Sequence, residues 1–508
     1  MIGPRLNQIR HWLKNISLLI LSLGLLPLTT LICLASLIIN RITPSTAEKR
    51  RNAARQKSPF QPKTILVTGV GMSKGLAIAR SFYEAGHNVI GADFSSLACG
   101  RVSTSLSKYF TLRKPDAVRG SGAYIQDILR LVEAEDVDLW CSCSGVASAV
   151  EDGEVKEILE ARTKCKAIQF NVTTTQLLHE KHSFIKHTQS IGLTVPETHE
   201  ITSLDAVERA LRQAPKDRKF IMKPTGMDDT HRGDMTLLPK ATDKETKRHL
   251  ETLSISAKCP WILQQYIKGP EYCTHALVIN GAVKLFTSLP SAELLMHYAA
   301  LQVDCKLDRA LLEFTQKFAA RAGSGFTGHL SFDFMVEEHQ MDGEHSIRED
   351  ADLILYPIEC NPRAHTAVVL FNSTPEMAAA YLSILDAPNP TNDQNGHAEN
   401  EGRVDLPIRP RLQDKYYWIG HDLVELVLQP LFAPLLLRPN NSFTDLARKL
   451  SLFFEHLVHW RDGTFERRDP LPLWWLYHVY WPMQFWMSLR TGQKWSRINV
   501  STTKMFAC

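Results

Sequence analysis

Residues 353–370 read LILYPIECNPRAHTAVVL. Ile354–Glu359 is a short apolar run with the composition of a buried strand, and Pro362 stops it. The run therefore delivers Glu359, Asn361 and Arg363 together at a strand end. Just upstream, residues 328–338 read GHLSFDFMVEE. Side chains alternate across a strand, so Asp333 lies on the face opposite Phe332 and Phe334. Asp333, Glu359 and Asn361 are hard oxygen donors suited to Mg²⁺ or Mn²⁺ bridging phosphates. Arg363 has the planar fork that holds a carboxylate or phosphoryl group with two parallel hydrogen bonds.

Two segments lie further upstream. Residues 219–239, KFIMKPTGMDDTHRGDMTLLP, predict a strand over 219–222 that places Lys223 at its end. A lysine there holds phosphate oxygens as a point charge. The Gly- and Asp-rich residues that follow predict a polar loop able to close over a triphosphate. Residues 259–285, CPWILQQYIKGPEYCTHALVINGAVKL, predict a strand to Gln264-Gln265, a turn at Lys268-Gly269-Pro270, and a second strand from Glu271. Such a linker offers backbone groups to an adenine, and Glu271 can accept from ribose hydroxyls.

Residues 64–93 predict strand, Gly-rich turn, helix and strand, one unit of an α/β sheet. Gly69, Gly71, Gly75 and Asp93 have dinucleotide-binding spacing, which keeps an NAD(P)-dependent oxidoreductase as an alternative. The plainer expectation is a tight turn that lets the helix approach the sheet. Residues 137–144 predict a later strand, and residues 176–192 a helix ended by Gly192. Residues 387–412 are rich in Pro, Asn and Gly and predict a flexible linker.

The 508 residues carry a formal charge of +4, unevenly spread. Residues 1–63 hold ten basic groups and a single acid, Glu48, so that segment is +9 and the remainder −5. A slightly acidic body excludes a nucleic-acid binder with a basic face. Residues 18–39 are uncharged and apolar, long enough to span a bilayer. More basic residues follow this stretch than precede it, which predicts a single-pass membrane anchor with the body in the cytosol. Residues 41–62, basic and with three prolines, predict a linker. Seven of the ten tryptophans fall after residue 412. The stretch 471–489, LPLWWLYHVYWPMQFWMSL, predicts either a membrane-interfacial hairpin or a helix packed on the body. The ten cysteines include no Cys-x-x-Cys and predict buried thiols in a reducing compartment.

Taken in order, KP, QQYIKGPE, FDF and IECNPR resemble the ATP-grasp superfamily, above all the ligases that form mycosporine-glycine and their fungal relatives in secondary metabolism. The resemblance implies an α/β and α+β chain. A membrane anchor and linker would span 1–62, and a Rossmann-like pre-ATP-grasp domain 63–175. The ATP-grasp domain would span 176–386, the flexible linker 387–412, and an aromatic-rich helical tail 413–508. It implies Lys181 and Lys223 as phosphate-binding lysines, Gln264, Gln265 and Ile267 beside the adenine, and Glu271 on the ribose. Asp333, Glu359 and Asn361 would hold Mg²⁺ or Mn²⁺, Arg363 would anchor the activated substrate, and His365 would orient it. Two positions depart from the pattern: Glu180 precedes Lys181 where Asp is usual, and Gln265 stands where Glu is common. The implied activity is carbon–nitrogen ligation. ATP would phosphorylate a carboxylate or enol, and an amino acid or other amine would displace the phosphate, beside other enzymes of a biosynthetic pathway. A membrane-tethered ATP-binding protein without catalysis is the remaining alternative.

Overall fold

The computed structural model describes residues 3–507 apart from 117, 119, 144, 146–147, 225–233, 292–295, 344, 351, 387–405 and 433–442. The expected phosphate-closing loop and most of the expected flexible linker therefore lie outside the described residues.

Five short strands, β1 (Thr64–Thr68), β2 (Asn88–Asp93), β3 (Lys108–Thr111), β4 (Leu139–Cys141) and β5 (Lys166–Ile168), form a parallel sheet in the order 3-2-1-4-5. Alternation along β1 sends Ile65 and Val67 to one face and Leu66 to the other. Both faces are thus apolar and both are covered by helices, as a parallel sheet requires. The Ser73–Glu84 helix packs on the first face. Helices Gly122–Ala134 and Ala149–Arg162 pack on the second.

The glycines of the first turn act by close approach. A Cβ on Gly75 would sit 2.4 Å from the Gly69 carbonyl oxygen, and one on Gly71 would sit 2.9 Å from Asp93 Oδ2. Asp93 accepts the Gly71 and Ser95 amides. The start of the Ser73–Glu84 helix is also covered: Ser73 N donates to Ser501 O, and Trp418 Nε1 to Ser73 Oγ. These partners stand where a dinucleotide pyrophosphate would have to sit, which argues against the NAD(P) alternative. Gly75→Ala forces backbone against backbone. It is expected to lower the thermal unfolding midpoint by several degrees, read by scanning fluorimetry, because strain of this kind costs about 1–3 kcal/mol.

An antiparallel sheet of three strands follows: β6 (Thr198–Ile201), β7 (Phe220–Pro224) and β8 (Trp261–Gln265), in the order 6-8-7. Next come β9 (Glu271–Ile279), β10 (Ala282–Pro290), the short β11 (His297–Tyr298), β12 (Gly328–Met335) and β13 (Tyr356–Asn361). The second antiparallel sheet runs 10-9-12-13. One of its faces is aromatic: Tyr272, Phe286, Phe332 and Phe334 pack under the Lys306–Ala322 helix. The opposite face carries Glu271, Cys273, Asp333 and Glu359.

Two sequence expectations need correction. The segment 176–192 is two helices, Val172–His179 and Lys181–Ser190, parted at Glu180, which caps both. The basic linker contains a helix, Thr46–Gln56, capped by Ser45 Oγ on the Glu48 amide. Arg51 and Arg55 of that helix donate to the Tyr83, Gly86 and His87 carbonyls at the end of the Ser73–Glu84 helix. The C-terminal tail follows the second of the two readings offered for it. It packs on the Rossmann-like body, with Trp418 fully buried, and it still exposes Trp486. Its strands β14 (Tyr416–Tyr417) and β15 (Arg461–Asp462) extend β11, and a hairpin, β16 (Trp495–Asn499) and β17 (Lys504–Ala507), follows. Asp422 clasps the tail to β11, with His297 Nε2 at 2.8 Å and His456 Nδ1 at 2.5 Å. The nine described cysteines form no disulfide, and seven of them are buried.

The N-terminal helix runs from Gly3 to Ile42. Gln8–Ile42 is long and apolar enough to cross a membrane, and 6% of its most apolar window is buried.

Candidate active site

Register builds the site. Asp333 on β12 stands directly opposite Glu359 on β13 and Cys273 on β9, and Ser331 stands opposite Asn361. Asp333, Glu359 and Asn361 thus share one face, with Glu271 at the start of β9 beside them. These four line a cavity of about 280 Å³ with Ser291, Arg363, Ala364 and His365.

Three carboxylates in one cavity repel one another. Burial first, then Glu359 and Glu271, push the Asp333 carboxyl up to about 8, against the pull of Arg363 and the Asn361 hydrogen bond. Asn361 Nδ2 donates to Asp333 Oδ2 at 3.1 Å, and Ser291 Oγ donates to Glu271 Oε1 at 2.7 Å. This oxygen-only donor set, electrostatically frustrated when alone, fits a hard divalent cation. The sequence pairs Glu271 with a ribose, whereas the structure groups it with the other two carboxylates.

Two lysines lie beside the carboxylates. Lys181, first residue of its helix, lies with Nζ 3.5 Å from Glu359 Oε2. Lys223, at the end of β7, donates to Gln264 Oε1 at 2.8 Å. Burial, then the neighbouring Lys181 charge, bring Lys223 down to about 8, with the acids opposing. Gln264 is engaged with Lys223 and Thr198. The Gln265 side chain turns to the Glu197 amide, and Ile267 is buried. The structure therefore brings Lys181, Lys223, Glu271, Asp333, Glu359, Asn361, Arg363 and His365 together, with the Gln265 side chain directed elsewhere.

His365 accepts the Ala367 amide on Nδ1 and so starts the Thr366–Phe371 turn. Burial, then Lys74 and Arg363, push its imidazole down to about 3, so it is neutral at physiological pH. Sequence reading missed Lys74. It is the second residue of the Ser73–Glu84 helix, is buried, and donates from Nζ to Ala364 O at 2.9 Å. Burial, then Arg363, bring it down to about 8. A lysine between Gly71 and Gly75, at the start of the helix, was the available signal, since apolar residues suffice to pack that helix.

The fold is similar to that of a solved synthetase. N5-carboxyaminoimidazole ribonucleotide synthetase, solved as its ADP complex, matches 79% of this chain and 98% of its own, with a TM-score of 0.50 and 13% identity. The Staphylococcus aureus N5-carboxyaminoimidazole synthetase bound to ADP matches 65% of this chain and 79% of its own, with a TM-score of 0.45 and 14% identity. The Bacillus licheniformis L-amino acid ligase matches 60% and 68%, with a TM-score of 0.39 and 14% identity. No protein-family model and no curated protein sequence matches the chain.

Proposed function

We propose that the chain is an ATP-dependent carbon–nitrogen ligase. It would join an amino acid or other amine to a carboxylate or enol activated by phosphorylation, releasing ADP and phosphate. One observation carries the reading: a single cavity holds facing carboxylates, a lysine pair close by, and Arg363 on its rim. The resemblance to the mycosporine-glycine ligases and their secondary-metabolism relatives supports the finer choice of an enol or carboxylate acceptor.

Asp333, Glu359 and Asn361, with Glu271 beside them, would hold Mg²⁺ or Mn²⁺. The cation would supply charge neutralisation along the polyphosphate. Lys181 and Lys223 take phosphate oxygens, and a polyphosphate nearby favours their charged forms. Arg363 holds the acceptor oxygen in line, so positioning and electrostatics do most of the work. The acceptor oxygen takes the γ-phosphoryl group of ATP, and ADP leaves. The amine nitrogen then forms the new bond as the phosphate leaves, and the nitrogen gives up its proton. Neutral His365 shapes the Arg363 turn and carries no charge to the reaction. Gln264, Gln265 and Ile267 are assigned to the adenine end through backbone groups, because the Gln264 and Gln265 side chains are already engaged.

The test is ADP release by the full chain with ATP and Mg²⁺ against a panel of carboxylates, enols and amino acids, with mass spectrometry of the products. Release that depends on both an acceptor and an amine is expected. NADPH binding without ATP binding would overturn the reading. The Gln8–Ile42 helix and its basic flanks support a membrane location with the body on the cytosolic side.

A further inference from the structure

The N-terminal helix is amphipathic in the reverse sense for a water-soluble body. His11, Asn15, Ser22, Thr29, Cys33 and Ser36 recur at helical spacing and form one polar stripe that faces the protein. His11, Asn15, Cys33 and Ser36 are buried. The stripe is fastened lengthwise to the C-terminal tail. Lys14 Nζ donates to Ser496 O at 3.1 Å, and Trp495 Nε1 to Asn15 Oδ1 at 3.1 Å. Ser22 Oγ donates to Tyr477 O at 2.8 Å, and Thr29 Oγ1 lies 2.5 Å from His478 Nε2. Trp474 Nε1 donates to Thr30 Oγ1 at 2.9 Å, and Cys33 Sγ to Pro470 O at 3.6 Å.

The outward face is the apolar one. Ile9, Leu13, Ile16, Ile20, Leu23, Leu31 and Ile38 are exposed. The exposed apolar surface continues onto the adjoining Trp481–Thr491 helix through Met483, Trp486 and Met487. Surface of this extent needs a cover. Its chemistry selects a lipid leaflet: no acidic residue occurs before Glu48, while Arg10, Arg41, Arg490 and Arg497 are exposed for anionic headgroups.

Length then decides how the helix sits. The fastened stretch from His11 to Cys33 rises roughly 33 Å, more than a hydrocarbon core of about 30 Å. Its partner, the tail, is itself bound on its other side to the Rossmann-like body. Trp475 Nε1 donates to Leu97 O, and Ser73 N donates to Ser501 O. Leu18 and Leu19 pack against the same core cluster as the first sheet. A helix held this way cannot cross the bilayer without drawing polar backbone and charged side chains into hydrocarbon, where no water satisfies them.

We infer that the Gly3–Ile42 helix and the exposed face of the Trp481–Thr491 helix together form a monotopic membrane-binding surface. The helix lies in the plane of one leaflet, and both of its ends are on the side of the catalytic body. This replaces the single-pass expectation with an in-plane helix and rests on the membrane reading above.

The experiment uses the full chain with one epitope at the N-terminus and another at the C-terminus. Sealed membrane vesicles with the cytosolic face outward are treated with protease without detergent. Sedimentation with the membranes and loss of both epitopes is expected. An N-terminal epitope protected until detergent is added, with the C-terminal one lost, overturns the in-plane arrangement in favour of a crossing helix. Protection of both leaves the in-plane helix standing and overturns the cytosolic placement instead. Recovery of the chain in the soluble fraction overturns the membrane reading and this inference with it.

Discussion

Glu359→Gln is expected to remove nearly all substrate-dependent ADP release, by about a hundredfold to a thousandfold, the loss typical of one preorganised electrostatic group at a reacting phosphoryl or acyl centre. Glu359 faces Asp333 across two paired strands and lies beside Lys181, so it touches both halves of the charge pattern. Gln keeps the size and the hydrogen-bonding reach and removes the charge. The same change relieves repulsion in the nucleotide-free protein, because Glu359 is the strongest electrostatic contributor pushing the Asp333 carboxyl upward. The lost pair with Lys181 is partly exposed and contributes little. Thermal unfolding of the variant without nucleotide should therefore match or exceed the parent. That separates lost function from lost fold. A variant that turns over normally would remove Glu359 from the proposed metal ligands.

Asp333 and Glu359 were legible because strand grammar is local. Period-two alternation fixes the face of Asp333, and Pro362 fixes where the strand ends. The grouping of Glu271 with them was less legible, since it depends on the register between β9 and β12. Lys74 was not legible because its partner, Ala364 O, is 290 residues away. The Thr46–Gln56 helix was overlooked for a different reason. Prolines on both sides suggested a linker, yet Ser45-Thr46-Ala47-Glu48 carries the spacing of a capping box. The division at Glu180 has no glycine or proline to announce it. The N-terminal helix shows how far composition reaches. Its apolar content was plain, but the polar stripe at positions 11, 15, 22, 29, 33 and 36 acquires meaning only when the tail is laid against it.

Asp469→Ala should produce the largest loss of stability outside the site. Asp469 is fully buried in the tail, and Arg80 of the first α/β unit is buried with it at 3.0 Å. Asp469 also accepts Ser103 Oγ at 2.6 Å and the Thr104 amide at 2.7 Å. Burial works against the ionised carboxylate, but Arg80, Arg468 and these donors more than offset it and hold the carboxyl below its usual range. A depressed carboxylate stabilises the fold above its unfolded pKa, and that contribution is lost as pH falls through the folded value. The clasp is therefore intact at neutral pH and weakens in acid. Removing the carboxylate strands a buried guanidinium, a change that costs about 3–5 kcal/mol. Arg80 keeps the Thr464 carbonyl and a 3.6 Å approach to Glu466, which places the loss toward the lower end of that range. Limited proteolysis should cut the tail before the body in Asp469→Ala, with a lower unfolding midpoint. Arg80→Met combined with Asp469→Leu should recover most of the midpoint, since an apolar pair of similar volume leaves no buried charge without a partner. If the double variant is no more stable than the single one, the loss comes from the Ser103 and Thr104 hydrogen bonds and the ion pair is not what fastens the tail.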